Sequence, residues 1–104
     1  MITNLLITGP FRAGKTLRPG DDYQVFAWSD SGLVNVSIKC FVRPPTPPEY
    51  KECDECGAYE VESGQSVDSQ VSEKAYRNTS GFLNIVATDN SHHVVAETIY
   101  IEGE

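Results

Sequence analysis

The amino-acid sequence predicts an all-β chain, an antiparallel sandwich or barrel in a single domain. Three observations lead there. Short alternating apolar runs recur between turn residues, no stretch holds a 3.6-residue period, and 104 residues supply one core and not two. A hydrophobic content of 39%, with one Trp, five Tyr and four Phe, suffices for that core and argues against disorder.

"ITNLLIT" (2–8) reads as the first strand and stops at Gly9-Pro10. In "RPGDD" (18–22), Pro19 presets one turn dihedral and Gly20 supplies a positive one. "YQVFAW" (23–28) follows as a strand, then the turn "SDSG" (29–32). "LVNVSIKCFV" (33–42) is the longest strand, with Val36, Ile38 and Cys40 on one face and Ser37 and Lys39 on the other. Residues 43–66, "RPPTPPEYKECDECGAYEVESGQS", then change character. Their prolines withhold the donors a central strand needs, so they read as a long insert with one short strand, "AYEVE". "SQVSEKAYR" (69–77), "GFLNIVATD" (81–89) and "HHVVAETIYIE" (92–102) are β-rich again, giving about seven strands. "SEKAYRN" is the best helical candidate and is too short to stand alone.

A net charge of −7 repels phosphate backbones, so nucleic acid is not an expected partner. No apolar run approaches the roughly 18 residues that span a bilayer, so no membrane partner is expected either. The start, "MITNLLITGPF", lacks the features of a secretory signal. The expectation is a chain made in the cytoplasm without a signal peptide, which works there or leaves by another route. The three cysteines, an odd number, do not describe a disulfide framework.

"GPFRAGKT" (9–16) fits the phosphate-loop pattern G-x-x-x-x-G-K-[ST] letter for letter. Such a loop needs a helix beginning at Lys15 and Thr16, whose N-terminal N–H groups cradle phosphate. Pro19 and Gly20 break any helix within its first turn, and no strand–helix alternation exists to build the parallel sheet around it. The stretch therefore reads as a turn between strands, with nucleotide binding the disfavoured alternative.

"CDECG" places Cys53 and Cys56 at the spacing of a zinc knuckle, and Cys40 with His93 would complete four ligands on paper. Two other readings stay open for Cys53 and Cys56: a disulfide, or thiols without a special role. Glu52, Asp54 and Glu55 raise thiol pKa values and disfavour a redox pair. Cys40 has the parity of an inward-facing small hydrophobe, and the end of its strand lies nearly opposite the His92-His93 turn. The carboxylates sit in turns or acidic runs with no basic partner pattern, so no enzyme is expected. Turn aspartates Asp21, Asp22, Asp30 and Asp89 are able to hold Ca²⁺, but no spacing selects such a site over turn chemistry.

Two stretches, "FAWSDSGLVNVSIKCFV" (26–42) and "GFLNIVATDNSHHVVAETIYI" (81–101), resemble bacterial immunoglobulin-like domains of surface proteins and secreted polysaccharide-acting enzymes. Asp30 and Gly32 fall in the turn of the first, with Val36 and Ile38 inward. In the second, Leu83, Ile85, Ala87 and Asp89 share a face, and Asp89-Asn90 opens a turn. The chain departs from that pattern at Ser91-His92-His93, where the family has Gly-Asn. It also lacks the antibody-type inter-sheet bridge, and its Trp28 lies on the second strand. The resemblance implies one immunoglobulin-like sandwich over 1–104, carrying the proline and cysteine insert 43–66 between its third and fourth strands.

The functional expectation is a non-catalytic structural or interaction module without a cofactor, binding a repeating protein surface as a homo-oligomer. A capsid decoration or tail protein of a phage or virus, carried on the virion surface, fits that description. Its contact segment would be "RPPTPPEYKEC", with Pro44, Pro45, Pro47, Pro48 and Tyr50, because rigid prolines order a loop at low entropic cost. The alternative is a small interaction domain stabilised by zinc at Cys53 and Cys56.

Overall fold

The computed structural model describes residues 1–43, 51–52 and 57–103, and of Lys51 and Glu52 the backbone alone. Nine strands form among the described residues: β1 (Ile2–Thr8), β2 (Thr16–Leu17), β3 (Asp22–Ser29), β4 (Leu33–Val42), β5 (Lys51–Glu52), β6 (Gly57–Glu62), β7 (Ser66–Gln70), β8 (Gly81–Asp89) and β9 (Val94–Ile101). They build two sheets. One runs β1-β3-β7; the other runs β2-β9-β8-β4, with β5 and β6 both on the far side of β4. Every pairing is antiparallel except that of β2 with β9.

Alternation puts one face of each central strand into the space between the sheets. Tyr23, Val25 and Ala27 of β3 meet Val34, Val36, Ile38 and Cys40 of β4, and Leu83, Ile85 and Ala87 of β8 complete the layer. A two-residue side-chain period makes this contact automatic once the strands pair in register. Each fully buried residue of the type of Ile85 or Ile99 contributes about 1.5–3 kcal/mol by leaving water.

The chain changes sheet near its start. After β1, residues 9–15 cross to the other layer, where β2 lies beside Tyr100 and Ile101. Leu17 is fully buried at that crossing, and its carbonyl accepts the Glu102 N–H at 2.9 Å.

One expected strand is displaced. The strand expected over 69–77 lies earlier, at Ser66–Gln70, and residues 73–78 are turn. Strand β7 is an outer strand whose Ser66, Asp68 and Gln70 face away from the core, so it carries little apolar alternation. The short strand expected at "AYEVE" is present as β6 in the insert 43–66. Within it β6 pairs with Leu33–Ile38 of β4 over six residues, and β5 pairs with Phe41 and Val42. The strand count rises from about seven to nine, two of the nine being only two residues long.

Candidate functional site

"GPFRAGKT" forms a closed turn. The Phe11 N–H bonds the Gly9 carbonyl at 2.8 Å, and Arg12 and Thr16 exchange backbone hydrogen bonds at 2.9 and 3.4 Å. Gly14 (φ 76) and Lys15 (φ 56) both take left-handed backbone to close the loop, and a strand follows where phosphate binding needs a helix. Its cations are engaged: Lys15 Nζ is ion-paired with Glu97, and Arg12 Nη1 donates to Asp21 Oδ2 at 2.8 Å.

Cys53 and Cys56 lie outside the described residues, as do Pro44, Pro45, Pro47, Pro48 and Tyr50. Cys40 is inward on β4 as its parity indicates, and it is disulfide-bonded. In that form it offers no thiolate to a metal. His93 is committed elsewhere, its Nδ1 accepting the Ile2 N–H at 3.0 Å. Cys40 pairs with Leu83, whereas His93 follows Asp89, the partner of Val34. Six residues of strand separate those levels, about 20 Å, so one ion does not reach both Cys40 and His93. Among the described residues no group of three or more His, Cys, Asp and Glu side chains is arranged to hold a metal.

Asp89 is the one buried charged side chain among the described residues, 4% exposed at the end of β8. Parity turns it inward, and its two oxygens are saturated. Oδ1 accepts the Ser91 N–H at 3.1 Å, the Ser91 hydroxyl at 2.7 Å and the His93 N–H at 3.2 Å. Oδ2 accepts the Ser29 hydroxyl at 2.9 Å and meets the Met1 ammonium at 2.5 Å. Asp30 holds the same ammonium at 2.6 Å. The ammonium first, then the Ser91, Ser29 and His93 donors, hold the Asp89 carboxyl far below its ordinary value, against the opposing effect of burial.

Asp89 thus joins the β3–β4 turn, the β8–β9 turn and β1, and the arrangement has a pH signature. A carboxyl depressed in the folded state contributes stability that is fully present above the unfolded value, 3.8, and is lost as pH falls toward the folded one. Chemical denaturation between pH 2 and pH 5 is therefore expected to show stability falling with acid in the wild type. In Asp89→Asn that acid limb should flatten; an unchanged slope would place the acid sensitivity on other carboxylates.

The outward face of the β4–β8–β9 layer is a different kind of surface. Register aligns Phe41, Phe82 and Tyr100 in one row, Lys39, Asn84 and Thr98 in the next, then Ser37, Val86 and Ala96, then Asn35, Thr88 and Val94. Phe41 and Phe82 stack with centroids 4.8 Å apart, and Tyr100 beside them is 56% exposed. Lys39 is the only formally charged side chain in these rows, in a chain with 15 acidic and 8 basic residues. Strand parity in the sequence assigns Ser37 and Lys39 to this outward side but does not collect the face. Doing so needs the β4–β8–β9 order, which periodicity alone does not supply.

No protein-family model matches the chain, and no curated protein matches it. Among the described residues no helix is long and apolar enough to cross a membrane.

Proposed function

We propose that the chain is a non-catalytic, immunoglobulin-like interaction module that associates with a second copy of itself through the outward β4–β8–β9 face. One observation carries the reading: in a strongly acidic chain the β4, β8 and β9 rows of that face hold no carboxylate, the nearest being Glu60 and Glu62 of β6 at their border. Two copies of net charge −7 repel one another, and they approach at least cost where carboxylates are missing. Charge depletion around aromatic residues is also the compositional mark of an interface centre. A two-fold arrangement would set Phe41, Phe82 and Tyr100 of each copy against the small residues Ser37, Val86 and Ala96 of the other.

Support for the immunoglobulin-like assignment comes from connectivity. The order β1-β3-β7 against β9-β8-β4 matches strands A, B, E and G, F, C of that architecture, with β6 in the place of an added C′ strand. The buried Tyr76 sits in the β7–β8 connection, near the corner where that fold keeps a structural tyrosine.

The setting we propose is the surface of a phage or virus particle, as a capsid decoration or tail component. The Cys40 disulfide supports exposure to oxidising surroundings, because reducing cytoplasm keeps thiols unpaired. Sedimentation tests the association: the wild type is expected to run as a species heavier than the 11.5 kDa protomer, and Ala96→Glu to return it to that mass. A wild type that remains an 11.5 kDa species at every concentration tested removes the self-association. Recovery of the chain with sedimented particles after host lysis checks the setting.

A further inference from the structure

The outward face of the other sheet is built differently. Register on β1, β3 and β7 places Thr8, Gln24 and Asp68 side by side, with Asp22 and Gln70 paired in the adjoining row. These side chains line a cavity of about 720 Å³ that opens on that face, within the roughly 300–1,000 Å³ range of small-ligand sites. Two of its polar groups are already oriented. The Thr8 hydroxyl donates to Gln24 Oε1 at 3.2 Å, and Gln70 Nε2 donates to the Gly20 carbonyl at 3.1 Å.

Beyond Gln24 along β3, the same face carries Phe26 and then Trp28, both half-buried, with ring centroids 6.0 Å apart and planes within 15°. Trp28 rests against Gly64, where an added Cβ would lie 3.1 Å from its indole nitrogen. Leu6, opposite Phe26 on β1, is 46% exposed. An apolar aromatic strip thus continues into a recess of amide, hydroxyl and carboxylate groups.

We propose that this face is a binding site for a neutral oligosaccharide. A sugar ring has an apolar C–H face that packs on an aromatic ring, and a rim of hydroxyls that both donate and accept. The strip of Phe26 and Trp28 meets the first requirement. Gln24, Thr8, Asp22 and Asp68 meet the second, the carboxylates accepting strong charge-assisted hydrogen bonds from hydroxyls. No Lys or Arg lines the cavity, and with two aspartates there the face repels carboxylated, sulfated or phosphorylated ligands.

Trp28 is the chain's single tryptophan, so its emission reports on this face alone. The experiment is a fluorescence titration with cellohexaose, mannohexaose and chitohexaose, with polygalacturonate as the anionic comparison. At least one neutral hexasaccharide is expected to change Trp28 emission saturably, and polygalacturonate not to. Gln24→Ala and Phe26→Ala should each weaken that response about tenfold, which corresponds to one well-made contact of about 1.4 kcal/mol. Gln24 is exposed, so that variant keeps the fold even where Phe26→Ala does not. Ala96→Glu, on the opposite sheet, should leave the titration unchanged, which keeps this inference separable from the proposed self-association. Silence of Trp28 toward all three sugars overturns the proposal. So does undiminished affinity in Gln24→Ala, or a preference for polygalacturonate.

Discussion

Tyr76→Ala is expected to cost about 3–5 kcal/mol of folding stability, a large share of the roughly 5–15 kcal/mol typical of a domain. Tyr76 is fully buried in the β7–β8 connection, and its hydroxyl lies 3.1 Å from the Phe41 carbonyl and 3.0 Å from the Phe82 carbonyl. Phe41 and Phe82 are paired across β4 and β8, so the phenol ties a loop to two strands of the opposite layer. Tyr76→Phe separates the two contributions. It keeps the ring and removes only the donor, for an expected loss of about 1–3 kcal/mol. Urea denaturation checks both, with the midpoint moving and the slope constant.

Tyr76 also carries an alkaline signature. Burial, the largest cause, pushes its phenol above the ordinary value of 10.0. The folded state then holds its proton where the unfolded chain has released it. That stability is complete below pH 10.0 and declines as pH rises through the interval above it. Tyr23 shifts in the same direction, again through burial. Tyr76→Phe should therefore reduce the alkaline loss without abolishing it. An alkaline limb identical to that of the wild type would mean that the phenol is not enclosed as described.

Strands delimited by turn chemistry are legible in the sequence. Gly9-Pro10 closes β1 at Thr8, and the turn at Asp30–Gly32 opens β4 at Leu33. The parity of Leu83, Ile85, Ala87 and Asp89 places a carboxylate on an inward face, and that is where Asp89 lies. Parity does not reveal that an ammonium and the Ser29 and Ser91 hydroxyls converge there, because those partners are far apart along the chain or belong to unremarkable turns. β6 is anticipated as the short strand "AYEVE" but its pairing with β4 is not, and β7 is displaced from its expected position. Both are outer strands rich in Ser, Glu, Asp and Gln, and the apolar alternation that marks a half-buried strand is thin on them. The disulfide at Cys40 is hidden by its own parity, since an inward cysteine on a strand reads as a small hydrophobe.

The two outward faces illustrate what only topology assembles. Phe26 and Trp28 are two residues apart and visible as an aromatic pair, yet Thr8 and Asp68 reach Gln24 from strands 16 and 44 residues away. The face holding Phe41, Phe82 and Tyr100 likewise draws one residue from each of three strands. A sandwich leaves both of its outer faces to solvent, so composition differences between them are free to serve different partners. In this chain the β4, β8 and β9 rows of one face hold no carboxylate, with Glu60 and Glu62 of β6 at their border, and the other face carries a recess lined by Asp22 and Asp68.

Gly81→Ala is expected to destabilise by at least about 3 kcal/mol, at or beyond the upper end for overpacking a well-filled site. Gly81 opens β8 opposite Val42 and Ile101, buried between two paired strands. A Cβ there would collide with the Phe41 carbonyl and lie 2.9 Å from Tyr76 Cε1. Neither obstacle is a flexible side-chain end: the first is backbone in a ladder, and the second is a buried ring held by its own hydroxyl. The same substitution at Gly32 supplies the contrast. Gly32 has φ +86 but nothing within 4 Å of an added Cβ, so Gly32→Ala should cost only the left-handed strain of about 1–2 kcal/mol. If Gly81→Ala proves no worse than Gly32→Ala in urea, the close approach of β4 and Tyr76 at this corner is wrong. The Tyr76 prediction would then fall with it, because both depend on the same contact between the β7–β8 connection and the end of β4.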